Sequence, residues 1–345
     1  MSITFIVGTG RCGSTMLSRV LQAHPDVLSM NEFFTSLASK GDSAFLDRAL
    51  DGPDFWSLLS GPARPLDAIA ASGFPMPELL YPYASGRFRP EPGAGVPAIS
   101  HMSLPALTAD PDTLHDDLAA TIPHWPTRPV ADQYRELFAE LGRRLGRTVV
   151  VERSGASLAF LPALRALFPD ARFVHLSRSG PACALSMSRH IGFRTLLLRA
   201  EATGLLGLAS PFQIGPEHAA LLPDHLAHLA GDVDCGLVMD APLPLAAFGR
   251  FWSHLITQGV EEFLQLPPDR RMSLSYEDIL DRPEHHLERL ATFAEATPHP
   301  AWLRDASASV VRTDRPPVTD PDTLAACTPG TLALERQVQL LSSDA

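Results

Sequence analysis

The stretch from Ile3 to Thr15, ITFIVGTGRCGST, constrains the fold of this chain more than any other. A short apolar run ends at Val7 in a glycine-rich turn, and an amphipathic segment follows from Ser14. Such a run predicts a buried central strand, and the glycines let the backbone turn tightly and approach a ligand closely. A helix N-terminus after this turn makes an anion site, because unpaired N–H groups and the helix dipole point to one place. We therefore expect a phosphate-bearing ligand here.

Two phosphate-binding motifs share these glycines. Gly8, Gly10 and Gly13 satisfy the dinucleotide pattern G-x-G-x-x-G, and Glu32 stands near the distance at which that fold places its ribose-binding acid. The same residues also fit a P-loop in which Ser14 replaces the lysine. The glycines alone decide for neither motif. An isolated acid such as Glu32 is also compatible with capping the next helix or with facing solvent.

Composition narrows the function further. The net charge of −11 argues against nonspecific binding to nucleic acid or to an anionic membrane. Four cysteines without paired spacing predict a reduced, cytoplasmic protein without a structural zinc site. The apolar runs are too short for a membrane span or a signal peptide, so neither is expected. Lys40 is the only lysine among the 28 basic residues, so a cationic role must fall to arginine, which binds phosphate or sulfate bidentately.

Alternating strands and helices predict an α/β fold with a central, mostly parallel sheet in a single domain, 1–345. The predicted strands are 3–7, 27–30, 148–152, 172–177 and 271–276. The principal predicted helices are 131–145, 157–168, 180–190, 242–266, 283–293 and 332–341. Two segments interrupt the alternation and are interpreted as helical insertions, around residues 50–130 and 191–240. His225 and His228 share a predicted helix face, but without a converging third ligand we expect no metal site.

Several separated motifs, taken in chain order, resemble the PAPS-dependent sulfotransferases, and especially the tyrosylprotein sulfotransferase branch and its bacterial relatives. The motifs are RCGSTML, HPDV followed by NE, VVVER, FPDARFVHLSRSGPACALSMSR and SYEDIL. The resemblance covers residues 3–42, 148–190 and 250–295. It implies a P-loop-like three-layer sandwich fold. It also implies an enzyme that transfers a sulfuryl group from 3′-phosphoadenosine 5′-phosphosulfate (PAPS) to a hydroxyl group, without a metal.

The resemblance also implies roles for the matching residues. The implied catalytic residues are Glu32 as general base, Arg11 on the donor loop, and Arg153 where many members carry a lysine that stabilises the transition state. The implied donor-binding residues are Arg11, Cys12, Gly13, Ser14, Thr15, Arg178, Ser186, Arg189 and Tyr276. Arg178 and Ser186 have the family's spacing for the 3′-phosphate, whereas Arg189 stands one residue short of the family's second arginine. Arg312 and Arg315 are unranked candidates for a C-terminal contribution.

No motif identifies the acceptor. Residues 50–130 and 191–240 are expected to wall its site, and a phenolic or alcoholic small molecule is favoured over a peptide tyrosine because the acidic chain would repel an acidic peptide. The oligomeric state stays open, with a homodimer as one alternative. The alternative functions are an NAD(P)-dependent oxidoreductase that uses GTGRCG, and a non-catalytic nucleotide-binding protein. The first leaves Arg178 and Ser186 unexplained, and the second has no need of a carboxylate at position 32.

Overall fold

A computed structural model describes residues 2–38, 42–45, 47–91, 94–208, 211–231, 233–312 and 316–343. Lys40 and Arg315 lie outside these residues. Within them, the strands are β1 Ser2–Val7, β2 Val27–Asn31, β3 Ala49–Leu50, β4 Arg128–Pro129, β5 Val149–Arg153, β6 Arg172–Ser177 and β7 Arg271–Ser275. Five strands form one sheet in the order β2-β5-β1-β6-β7, and its strand pairs are parallel. The predicted α/β fold with a parallel central sheet is therefore confirmed. The short strands β3 and β4, which the sequence analysis missed, form a separate antiparallel pair.

Helices flank the sheet and fill the connections between its strands. They are α1 Ser14–Gln22, α2 Phe33–Ala38, α3 Gly52–Ser60, α4 Arg64–Ser72, α5 Ala98–Met102, α6 Leu104–Leu107, α7 Pro111–Thr121, α8 Val130–Leu145, α9 Leu161–Leu167, α10 Gly180–Ser188, α11 Ile191–Leu206, α12 Asp224–Ala227, α13 Cys235–Asp240, α14 Leu245–Leu264, α15 Tyr276–Asp281, α16 Pro283–Phe293, α17 Pro300–Ser309 and α18 Pro321–Ser343. Short 3-10 segments are Asp42–Phe45, Ile122–His124, Ser157–Phe160, Pro211–Gln213, Pro216–Leu221, His228–Ala230 and Pro268–Arg270.

The central strands are mostly apolar, as expected for a sheet that is covered on both faces. Every residue of β5 is buried, and so is all of β1 after Ser2. The ring of Phe5 in β1 lies 5.1 Å from that of Phe168 and 5.4 Å from that of Phe173, which places aromatic packing at the centre of the core.

The parallel arrangement brings the carboxyl ends of all five strands to one edge of the sheet, where α/β proteins bind their ligands. The strands end there at Val7, Asn31, Arg153, Ser177 and Ser275. Both Asn31 and Ile6 pair with Arg153 in register, so the residues that follow β1, β2 and β5 are neighbours. The strand order also bears on the dinucleotide alternative. That fold places its first two strands side by side, whereas β5 lies between β1 and β2 here.

The two predicted insertions pack together outside the main core. Apolar residues of α4 and of 191–243 form a second cluster that includes Ile69, Leu198, Leu226 and Val238. Apart from Leu50 in β3 and the strand β4, the described part of the segment 50–130 consists of short helices and irregular turns, as predicted.

The last helix is where prediction and structure differ most. The sequence predicts a helix over 332–341, whereas α18 begins at Pro321 and contains Pro329. A proline removes a backbone hydrogen bond and usually breaks a helix. Here the Ser253 hydroxyl on α14 donates to Ala326 O (2.7 Å) and accepts from the Gly330 N–H (3.3 Å). The neighbouring helix thus satisfies backbone groups beside the proline, which sequence patterns could not reveal.

Candidate active site

The glycine loop after β1 leads directly into α1. Gly10 and Gly13 have φ angles of +74° and +90°, which residues with a side chain rarely adopt. A Cβ at Gly10 would lie 2.5 Å from the Phe193 ring, and one at Gly13 would overlap the Tyr276 ring. Gly13 is the N-cap of α1, no side chain caps the helix, and its first turn holds no acid. The N-terminus of α1 is therefore suited to an external anion.

Arg11 contacts two of the other donor-binding residues predicted from the sequence. Its Nε donates to Ser186 Oγ at 3.1 Å, and its carbonyl oxygen accepts from Arg178 Nη1 at 3.0 Å. The Arg178 guanidinium in turn lies 4.7 Å from the centre of the Tyr276 ring. The structure thus brings Arg11, Arg178, Ser186 and Tyr276 together around the loop, although they come from three separate parts of the chain. Arg11 itself has a φ of 57°, and such backbone strain occurs often at functional sites.

Glu32 follows β2 and is almost completely buried. Its side chain forms an ion pair with Arg153, and its Oε2 accepts from the Gly155 N–H at 2.7 Å. The backbone φ of Glu32 is 51°, and its N–H donates to Arg153 O at 2.7 Å, so both ends of the residue are held by β5 and the loop after it.

The hydrogen bonds at the start of α2 bear on the alternative that Glu32 is only a helix cap. The N–H groups of Phe34 and Thr35 donate to Glu152 Oε1 (3.4 Å) and Ser154 Oγ (3.1 Å). Glu152 of β5 and Ser154 directly after this strand therefore supply the side-chain caps of the helix. The Glu32 carboxylate is held by Arg153 and Gly155 instead.

Other predicted residues take more varied positions. Arg153 is 2% exposed and lies behind Glu32, where it also contacts Asn31, rather than in a cavity wall. Cys12 is buried, and burial raises the pKa of its thiol, so only its backbone could face a ligand. Thr15 is half-buried in the first turn of α1. Arg189 is exposed at the end of α10, and Arg312 is exposed and pairs with Asp281.

A cavity of about 550 Å³ opens beside the loop, within the range of small-molecule sites. Its polar lining residues include Arg11, Ser14, Glu32, Glu78 and His190. Its apolar walls are formed by Ala38, Pro62, Pro65, Leu66, Ile69, Met76, Ala156, Phe160, Phe193, Leu196 and Ile214. Both predicted insertions therefore contribute to the walls, and the glycine loop and the end of β2 supply polar groups.

Glu78 and His190 are cavity residues that the sequence analysis missed. Glu78 Oε1 lies 2.6 Å from Arg11 Nη1, and its Oε2 lies 3.1 Å from His190 Nε2. Burial alone would raise the pKa of Glu78, but the hydrogen bond from His190 and the charges of His190 and Arg11 lower it to about 2. Glu78 is therefore an anion at neutral pH. No motif surrounds it, because it stands alone in the proline-rich stretch PMPELL.

Neither metal sites nor membrane spans are found in the described part of the chain. Among those residues, no group of three or more His, Cys, Asp or Glu side chains could hold a metal ion. No described helix is long and apolar enough to cross a membrane.

Comparison with known proteins gives similarities of fold. No protein-family model and no curated protein matches the sequence. The sulfotransferase domain of the Synechococcus PCC 7002 olefin synthase is 16% identical at a TM-score of 0.43, and the match covers 96% of this chain and 94% of that one. The sulfotransferase domain from the curacin biosynthetic pathway is 14% identical at a TM-score of 0.44, and the match covers 95% of this chain and 96% of that one. The sulfotransferase from Alicyclobacillus acidocaldarius is 14% identical at a TM-score of 0.41, and the match covers 98% of this chain and 96% of that one. These similarities are distant, so the chemistry of the site rests on this chain's own residues.

Proposed function

We propose that this chain is a PAPS-dependent sulfotransferase whose acceptor is the hydroxyl group of an apolar small molecule. The observation that carries the proposal is that a buried carboxylate, Glu32, and a cation, Arg11, line one apolar cavity beside the uncapped N-terminus of α1. A base, a positive field and an anion-binding loop are the groups that sulfuryl transfer needs, by analogy with phosphoryl transfer.

The residues around the loop fit a donor with two anionic ends. The α1 N-terminus and Arg11 would hold the 5′-phosphosulfate, and Arg178 with Ser186 would hold the 3′-phosphate. Tyr276 packs on Gly13 and beneath the Arg178 guanidinium, so it would keep that arginine oriented. The donor supplies a sulfuryl group joined to a good leaving group. Arginine and backbone N–H groups can stabilise the charge that develops on the leaving phosphate.

Glu32 would take the acceptor proton. Each oxygen of an ionised carboxylate has two lone pairs, so Glu32 can accept from Arg153, from Gly155 and still from an acceptor hydroxyl. As the new oxygen–sulfur bond forms, the hydroxyl proton passes to Glu32 and the bond between sulfur and the phosphate oxygen breaks. Arg153, which lies behind Glu32, would hold the carboxylate in place. A positioned base contributes roughly 10²–10⁴-fold to such a rate.

The cavity walls favour an apolar acceptor over a peptide. Apolar side chains belong to eleven of the 21 residues that line the cavity besides Arg11 and Glu32. Burial of apolar surface would hold the acceptor, while the polar end of the cavity would orient its hydroxyl.

Equilibrium binding and a transfer assay test the proposal. The product nucleotide 3′-phosphoadenosine 5′-phosphate should bind, whereas NADH and ATP should bind far more weakly. Labelled sulfate from PAPS should then appear on members of a panel of phenols and aliphatic alcohols. Tight binding of NADH without binding of the 3′,5′-bisphosphate would favour the oxidoreductase, and nucleotide binding without transfer to any acceptor would favour a non-catalytic protein.

A further inference from the structure

Glu78 places a negative charge on the arginine that is proposed to bind the donor. Its carboxylate is 7% exposed, and both oxygens have a partner, Arg11 Nη1 and His190 Nε2. The segment that carries it is tied to the rest of the first insertion, because the N–H groups of Leu80 and Tyr81 both donate to His101 O, at 2.9 and 3.2 Å. Glu78 is thus a held carboxylate that reaches into the site from outside the sheet.

The contacts of Arg11 limit what an incoming anion can find there. Its Nε donates to Ser186 Oγ, and its Nη1 donates to Glu78 Oε1. Both of these nitrogens therefore already have a hydrogen-bond acceptor. An anionic group at Arg11 would also stand beside the Glu78 carboxylate. In a largely buried site, two like charges a few ångströms apart are strongly disfavoured. An anionic group of the donor therefore competes with Glu78 for the Arg11 guanidinium.

We propose that Glu78 is an internal competitor of the donor for Arg11 and thereby weakens the binding of every nucleotide that carries a 5′ anionic group. The inference rests on the proposed function, since it takes the 5′ anionic group of the donor to be the ligand of Arg11. His190 offers the released carboxylate a partner that it already holds, so release needs no unpaired charge in the cavity. A nucleotide with a 5′ anion must meet the cost of displacing Glu78 from Arg11, whereas a nucleotide with only a 3′-phosphate does not.

Two ligands and a neutral replacement test this competition by calorimetry. The variant is Glu78→Gln, which keeps the shape of the side chain and removes its charge. The ligands are 3′-phosphoadenosine 5′-phosphate and adenosine 3′-phosphate, which lacks the 5′ group. In the variant, the Kd of the bisphosphate should fall about tenfold or more, equivalent to about 1.4 kcal/mol, while that of the 3′-monophosphate should stay nearly constant. The ratio of the two constants within one preparation does not depend on the folded fraction.

A matched control is Glu140→Gln on α8. Glu140 is also buried and also pairs with arginines, Arg143 and Arg144, but it does not line the cavity. In Glu140→Gln, the ratio of the Kd values of the two nucleotides should equal that in the unmodified protein. This control separates local competition at Arg11 from a general change in charge. A Glu78→Gln protein that binds the bisphosphate equally well or more weakly would overturn the proposal, because Glu78 would then be neutral or would position Arg11. Failure of the unmodified protein and of both variants to bind either nucleotide would overturn the proposed function itself.

Discussion

The buried pair between Glu32 and Arg153 allows the account to be tested by the free energy of unfolding. The side chains are 4% and 2% exposed, so each charge depends on the other for its solvation. Arg153→Met leaves the carboxylate with Gly155 as its remaining protein partner described above, and removal of one member of a buried pair typically destabilises by about 3–5 kcal/mol. Asn31 loses Arg153 as well, but its Oδ1 still accepts from the Ser18 hydroxyl at 3.0 Å, so little is added there.

Glu32→Gln should also destabilise, because Arg153 and the Gly155 N–H donate to different carboxylate oxygens and the amide keeps only one of these acceptors. The double variant contains neither buried charge, so it should be more stable than Arg153→Met alone. We expect a coupling energy of about 2 kcal/mol or more between the two positions, well above the roughly 0.5 kcal/mol scatter of independent sites. Urea unfolding of the four proteins at pH 7 measures it.

The half-exposed pair of Arg128 and Glu136 is the matched control, and its coupling should stay below about 1 kcal/mol. Additive effects at positions 32 and 153 would refute the reasoning, because they would mean that Arg153 does not hold the Glu32 carboxylate.

Three further predictions concern the donor, the core and the acceptor. Arg178→Ala should weaken binding of 3′-phosphoadenosine 5′-phosphate by about 1.5–3 kcal/mol and binding of adenosine 5′-phosphosulfate by less, because only the first ligand carries the 3′-phosphate. Equal losses of binding free energy for the two ligands in calorimetry would contradict this. Burial raises the pKa of Glu152 from 4.5 to about 7, so the folded protein holds a proton that the unfolded chain releases, and stability is lost as pH rises through that window. The free energy of unfolding of Glu152→Gln, relative to that of the unmodified protein, should therefore rise by on the order of 3 kcal/mol between pH 5 and pH 8. Urea unfolding measures this difference, and a difference that does not change with pH would contradict the prediction. Leu196→Trp should fill the apolar cavity and raise the acceptor KM about tenfold or more while nucleotide binding is unchanged, and an unaltered KM would place the acceptor elsewhere.

Much of the sheet and of its ligand edge follows from sequence patterns. Continuous apolar runs predict β1 and β5, and the boundaries differ from the structure by one residue. Because parallel strands end at one edge, the residues after them, such as Glu32 and Arg178, were expected to lie near the glycine loop. Arg178 does reach the loop, and Glu32 lines the same cavity as Gly10. Pattern and topology together are sufficient at such positions.

The remaining features depend on contacts between distant segments. Glu78 meets Arg11 and His190 only because the first insertion folds over the cavity, and no local pattern sets that geometry. The burial of Arg153 behind Glu32 is likewise a matter of side-chain packing, although its strand was predicted to within one residue. The extent of α18 depends on the hydroxyl that α14 provides beside a proline. Each of these is a tertiary interaction that overrides or supplements local preference.

The turnover number of Glu32→Gln tests the central claim most directly. It should be measured with saturating PAPS and saturating acceptor, and expressed per folded, nucleotide-binding protein. Glu152→Gln is the matched control, since it replaces a neighbouring buried carboxylate that caps α2 and does not line the cavity. If Glu32 takes the acceptor proton, its replacement should lower kcat by roughly 10²-fold or more, whereas the control should stay within a few fold of the unmodified protein. A Glu32→Gln enzyme that turns over at the unmodified rate would contradict the account.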